Sequence, residues 1–354
     1  MADAASAVTG EGIEIRNLYK IFGSNAADHV AAVRNGMSKS ELIQQYGHVL
    51  GLNNINITMP AGSIQVIMGL SGSGKSTLIR HINRLIDPTA GQIIVGGRDV
   101  VAMSPAELRE YRRHETAMVF QKFALLPHRT VLANTVYGLE VQGVPQAQQR
   151  DRAMRWIERV GLKGFEDRYP NQLSGGMQQR VGLARALTND APILLMDEAY
   201  SALDPLIRVD MQTVLLDIQK EIRKTIVFIT HDLDEALRLG DQIAILRDGE
   251  VIQQGTSQDI VLRPADEYIA TFVREVNRGR VIRADAVMTA ASGETPAGPK
   301  VHPDTTLEVA VKRMVELKTQ SVHVVASDGS LVGLLEMPQA IAAMVSPTAN
   351  QHDT

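Results

Sequence analysis

Residues 69–77 read GLSGSGKST, and this stretch constrains the fold more than any other in the chain. The spacing G-x-x-x-x-G-K-[ST] curls backbone N–H groups and a helix N-terminus around phosphates, with the lysine on the terminal phosphates and the hydroxyl on magnesium. Just before it, GSIQVIMG is a short apolar run of strand type. Just after Lys75, STLIRHINRLI has helical spacing and is expected to stop before Asp87-Pro88, where proline disfavours helix at the residue before it. Strand, glycine loop, helix is the context that phosphate binding demands, so nucleotide binding is the first expectation.

The other strand signals fit the same architecture. PILLMDE, TIVFITHD and QIAILRDGEVIQQG are apolar, β-rich runs bounded by turn or charged residues, as in a parallel sheet covered by helices on both faces. IEIRNLYKIFG alternates like a half-exposed strand. Between Gln121 and Pro170 the pattern is mostly helical, and in RAMRWIERVGL the residues Met154, Ile157, Val160 and Leu162 would share an apolar side. Beyond about residue 284, the small-residue stretch AASGETPAGPK precedes a segment that reads helix, strand, Asp-Gly turn, strand.

Composition excludes several classes. A chain of 354 residues with 44% hydrophobic residues has room for about two domains, and the formal charge of −4 suggests no nucleic-acid partner. Without cysteine there are no disulfides, thiolate metal sites or thiol nucleophiles, and the nine histidines lack ligand spacing. The N-terminal residues lack the pattern of a signal peptide, and no stretch approaches a membrane span. A cytoplasmic location is expected, with any membrane role supplied by a partner.

Two carboxylates follow a buried strand in ILLMDEA (193–199), pointing different ways at the strand end. Asp197 is the candidate Mg²⁺ partner, beside Ser76, and Glu198 the candidate general base. LSGGMQQR (173–180) opens another helix with Ser-Gly-Gly, and SALD (201–204) and THD (230–232) follow in order. Together these motifs closely resemble the ATP-binding subunits of ABC transporters over about residues 13–260. The fold so implied is α/β: a P-loop ABC-type nucleotide-binding domain with an inserted α-helical subdomain and an antiparallel β subdomain.

That resemblance implies a head-to-tail dimer with a second copy of the chain, sandwiching two ATP molecules. Gly69, Ser71, Gly72, Ser73, Gly74, Lys75, Ser76 and Thr77 would cradle ATP; Ser174, Gly175, Gly176 and Gln178 would reach the nucleotide of the other copy, with Asp204 nearby. Gln121 would sense Mg²⁺, and His231 would contact the γ-phosphate and orient the attacking water. Adenine needs a flat apolar face, for which Phe22 aligns best and Tyr19 is the alternative. In catalysis Lys75, Mg²⁺ and the loop amides stabilise developing charge while Glu198 aligns or deprotonates water.

Finer wording, in NRLIDPTAGQI, FALLPHRTVLANTVYG and MDEAYSALDPLIR, resembles the subgroup that serves importers of glycine betaine, proline betaine and choline. A close relative of that subgroup serves histidine, and a soluble cassette acting away from membranes is a second alternative. The expected partners are a transmembrane permease and, indirectly, an extracytoplasmic substrate-binding protein, with the chain peripheral at the cytoplasmic face of the inner membrane. The expected boundaries are a tail over 1–12, an ATPase domain over 13–275 with a helical subdomain at about 122–172, and an extra stretch at about 24–50 read as a surface hairpin or helix. A linker over 276–283, a module over 284–345 and a tail over 346–354 complete the layout. The module resembles a single small α/β cystathionine-β-synthase-type (CBS) unit, which would pair across the dimer or stand as a relic, and through which ionic strength or nucleotide would regulate transport.

Overall fold

The computed structural model describes residues 10–291, 293 and 297–345; the expected tail over 346–354 and most of that over 1–12 lie outside them. The chain divides into two compact units, Met1–Gln254 and Gly255–Thr354. In the first unit the strands are β1 (Ile13–Phe22), β2 (Val49–Met59), β3 (Ile64–Met68), β4 (Ala90–Val95), β5 (Arg98–Asp99), β6 (Thr116–Val119), β7 (Ile193–Asp197), β8 (Thr225–Thr230), β9 (Gln242–Arg247) and β10 (Glu250–Gly255).

They form two sheets, β2-β1-β4-β5 and β10-β9-β3-β8-β7-β6. The first is antiparallel throughout. In the second, β3, β6, β7, β8 and β9 run parallel, and every residue of β3, β7 and β8 is buried, as continuous apolar runs require when both faces of a sheet are covered. One core cluster joins the two sheets, uniting Ile13, Ile15 and Leu18 of β1 with Ile67, Leu195, Val227 and Leu246.

Strand β1 departs from simple alternation. Asn17 takes a left-handed φ of 47°, its N–H donates to Asn56 Oδ1 at 2.9 Å, and the register with β2 shifts there. This bulge lets Leu18 and Tyr19 both turn inward, Leu18 to the main core and Tyr19 to a second cluster with Ile21, Val30, Val33, Leu42 and Leu50. The extra stretch after β1 is therefore no hairpin. It folds as two short helices, Val30–Arg34 and Lys39–Tyr46, with a core of its own.

The helix after the glycine loop spans Lys75–Ile82 and stops short of the expected Asp87. Its last carbonyls are taken by side chains from a distant helix: Tyr111 OH donates to Ile82 O at 2.9 Å and Arg112 Nε to Asn83 O at 2.8 Å, while Arg84 turns left-handed (φ 50°). The helical region comprises Val131–Gln142, Gln146–Arg159 and Gly175–Thr188, packed on one another. It thus extends past the expected limit at 172. Ala153 and Ile157 face inward, Met154 is half-buried, and Val160 and Leu162 are buried beyond the helix end.

In the second unit β11 (Thr289–Ala290), β12 (Lys300–Val301), β13 (Ser321–Val325) and β14 (Leu331–Glu336) form a sheet of order β11-β14-β13-β12. Asp328 and Gly329 turn β13 into β14, the Asp328 carboxylate accepting from Ser330 N at 2.9 Å. The stretch 276–283 is not a free linker, because its helix Arg278–Val281 is packed in place. A Cβ on Gly279 would come within 2.7 Å of Met344, Ile282 is fully buried, and Gln258 Nε2 donates to Val281 O at 2.8 Å. At the other end, Gly10 of the expected tail is held by its N–H on Arg223 O at 3.2 Å.

Two histidines of the first unit meet opposite environments. His48 places both ring nitrogens against carbonyl oxygens, Tyr46 O at 2.6 Å and Ser24 O at 2.7 Å, so only the imidazolium satisfies both, and these bonds raise its pKa. His81 is fully buried, and burial pushes its pKa down to about 4. Protonated His48 therefore stabilises the fold at low pH, a contribution lost as pH rises through its raised pKa. Neutral His81 works the other way: the unfolded chain takes up a proton below its ordinary value of about 6.5 that the folded chain refuses, which costs ~1.4 kcal/mol per pH unit down to about 4. Ring titration by NMR should show His48 protonating above 6.5 and His81 far below it. His81→Asn should remove a one-proton slope from the stability profile between pH 6.5 and 5.

Candidate functional site

The carboxyl ends of neighbouring parallel strands converge on one edge, where open α/β sheets hold ligands. From β3 the chain enters the glycine loop, from β8 it reaches His231, from β7 Asp197 and Glu198, and from β6 Gln121. Segments far apart in sequence are brought together by strand order alone.

Within the loop, a Cβ on Gly69 would lie 2.2 Å from Leu246 O, and Gly74, at φ 101°, would press one to 2.8 Å from Gly51 O. The tight turn points Gly69 O and Leu70 O inward, and Lys75 Nζ donates to them at 2.8 and 3.0 Å. Lys75 is only 4% exposed; burial lowers its pKa, and Glu198, 3.7 Å away, and Asp197 oppose the shift. Ser73 Oγ is buried without a hydrogen-bond partner.

The two adjacent carboxylates differ in surroundings. Asp197 is buried, accepting from Ser76 Oγ at 2.8 Å and Arg80 Nη2 at 3.2 Å. Glu198 adopts a left-handed φ of 45°, strain that a non-glycine residue keeps only where its surroundings impose it. Its Oε2 accepts from Gln121 Nε2 at 3.0 Å and lies 3.9 Å from His231 Nδ1. The Ser76 hydroxyl and the Asp197 carboxylate, joined at 2.8 Å, are hard oxygen donors of the kind that Mg²⁺ takes. Among the described residues no group of three or more histidines, cysteines and carboxylates could hold a metal.

A cleft of about 450 Å³ runs from this centre along Ser71, Gly72, Gly74 and Thr77 to Phe22, Val49, Leu50 and Gly51. Phe22 is 40% exposed on its wall, whereas Tyr19 is 6% exposed inside the second core cluster. Of the two aromatic candidates, only Phe22 has a face available to a base. Lys39, Val49, Leu50 and Gly51 were not legible from motif spacing, since Lys39 reaches the cleft through the packing of the extra stretch on β1, and Val49, Leu50 and Gly51 through the pairing of β2 with β1.

Not every expected residue lies here. Ser174 caps the helix Gly175–Thr188, accepting from Met177 N at 3.3 Å, and Ser174 and Gly175 are exposed away from the cleft, as is Asp204, which caps Pro205–Ile222 through Ile207 N at 3.1 Å. Gly176 and Gln178 share the first turn of the former helix.

This fold and site define a nucleotide-binding cassette, and comparisons place it further. The profile of the ABC transporter family matches residues 52–201. A glycine betaine transport ATP-binding protein of Bacillus subtilis is 49% identical, over 96% of this chain and 79% of its own. A trimethylamine N-oxide transport ATP-binding protein of Pelagibacter ubique is 42% identical, over 94% of this chain and 97% of its own. Among solved structures, a dimeric, post-hydrolysis ATP-binding cassette bound to ADP and Pi superposes with a TM-score of 0.59 at 32% identity, covering 69% of this chain and 98% of that one. The chain belongs to the ATP-binding proteins of ABC transporters and is an ATPase of that family.

The two aromatic positions give a clean contrast. Phe22→Ala should weaken ATP binding by roughly 5- to 150-fold, the equivalent of about 1–3 kcal/mol of base stacking, with unchanged thermal stability. Tyr19→Ala should cost ~3–5 kcal/mol of stability instead. Calorimetric titration and thermal unfolding of both variants check this.

Proposed function

We propose that this chain hydrolyses MgATP to drive import of glycine betaine or a related methylated amine through a partner permease. The observation that carries the reading is the convergence of Lys75, Gln121, Asp197, Glu198 and His231 on one sheet edge, in a chain 49% identical to a glycine betaine transport ATP-binding protein. Glu198 holds the attacking water, with Gln121 and His231 steering its carboxylate. Lys75 leaves the carbonyls of Gly69 and Leu70 for the β- and γ-phosphates. Ser76, Asp197 and Gln121 would hold Mg²⁺, which would supply charge neutralisation on the phosphate oxygens.

The signature residues Ser174 and Gly175, exposed, and Gly176 and Gln178, half-buried, do not line the cleft of their own chain and serve the nucleotide of a second copy. The dimeric cassette found among the structural relatives supports this. A second groove, of about 390 Å³, lies beside the loop that follows Gln121 and is lined by Leu85, Tyr137 and Val141, each at least 40% exposed. It is the surface offered to the permease. Among the described residues no helix is long and apolar enough to cross a membrane. A peripheral place at the cytoplasmic face, on that partner, is supported by the relatives, which are ATP-binding proteins of transport systems. An extracytoplasmic binding protein selects the substrate.

Within the C-terminal unit, residues 284–345 are read as a single CBS-like module. Its strand, helix Leu307–Glu316, two antiparallel strands and helix Met337–Met344 support that reading.

Cells lacking this chain should take up labelled glycine betaine only when complemented with wild type, and Glu198→Gln should reduce ATP turnover by ~100-fold or more. Choline, trimethylamine N-oxide and histidine as competitors rank the substrates, and uptake independent of the chain would refute the assignment. For the C-terminal unit, ATPase activity of the assembled transporter should respond to ionic strength in the full chain and not in a chain ending at Gln254. Identical salt curves would sink a regulatory role.

A further inference from the structure

The extra stretch between β1 and β2 is anchored to the cleft at both ends. Leu42, fully buried, packs with Ile21 and Leu50, and His48 ties Ser24 O to Tyr46 O at its base. Ser38 starts the second helix with a capping box, its Oγ accepting from Glu41 N at 3.2 Å and its own N–H donating to Glu41 Oε2 at 2.7 Å. Lys39 is thereby fixed at the first helical position, on the wall of the cleft that holds Phe22, Ser71 and Gly72.

Its ammonium has a loose partner. Asp248 Oδ1 stands 3.7 Å away, with side chains 39% and 79% exposed, and such a pair holds little free energy. Asp248 belongs to the turn before Gly249, whose N–H donates to Ser73 O at 3.1 Å. The ammonium therefore stands beside a turn hydrogen-bonded to the phosphate loop, on a cleft lined also by Phe22 and Lys75.

We propose that Lys39 is a further nucleotide-binding residue whose ammonium exchanges Asp248 for the α-phosphate of the bound nucleotide. The α-phosphate and Asp248 each carry one negative charge, but the carboxylate, 79% exposed, is screened by solvent, and the α-phosphate is common to ATP and ADP. The exchange strengthens binding without entering the chemistry at the γ-phosphate. This inference rests on the ATP-binding reading above.

The test is calorimetric titration of the full chain with MgATP and MgADP, joined to steady-state ATPase kinetics. Lys39→Ala should weaken both nucleotides by the same ~5- to 10-fold and raise KM with kcat unchanged. Lys39→Arg should keep wild-type affinity. Asp248→Asn, by freeing the ammonium, should tighten both nucleotides by about twofold to fivefold, which a merely structural lysine would not produce. Equal affinities in wild type and Lys39→Ala would overturn the proposal, as would a loss confined to ATP or an Asp248→Asn that fails to tighten. Should wild type bind neither nucleotide, the ATP-binding reading itself falls, so the two failures are distinguishable.

Discussion

A buried ammonium organises this molecule. Lys75 lies almost out of solvent, and a cation there is tolerable only if fixed dipoles and opposite charges surround it. Two loop carbonyls and two nearby carboxylates do so. Those carbonyls can point inward only because the loop turns where no Cβ fits, against Leu246 O on β9 and Gly51 O on β2. Hence the close approach of β9 and β2 to the loop and the absence of a Cβ at Gly69 and Gly74 belong to the same arrangement that holds this charge.

The two carboxylates at the end of β7 differ through geometry, not sequence. Asp197, the last residue of the buried strand, accepts from Ser76 and Arg80. Glu198, turned by its left-handed backbone, is swung toward Gln121 and His231. Adjacent acids with separate fates are what a reaction needs when one group must neutralise and its neighbour must stay free to meet water.

Much of this was legible in the sequence because the signals are local. An apolar run, a glycine loop and a helix announce the phosphate site, and MDE and THD end strands whose order then assembles them. What escaped depends on contacts between distant segments. The helix after Lys75 ends early because Tyr111 and Arg112 capture its carbonyls, and no spacing within the helix encodes that. Residues 276–283 look like a linker until Gly279 is seen closing on Met344. Lys39 reads as one polar residue among many, and only the packing of Leu42 against β1 carries it to the cleft.

The bulge at Asn17 has a consequence for how this chain can change over evolutionary time. Because side chains alternate along a strand, removing one residue there would turn every later position of β1 to the opposite face. Phe22 would then face the interior and Ile21 the cleft. The bulge acts as a gear between two parts of the molecule, so the extra stretch and the aromatic wall of the cleft can be gained, lost or repositioned only together.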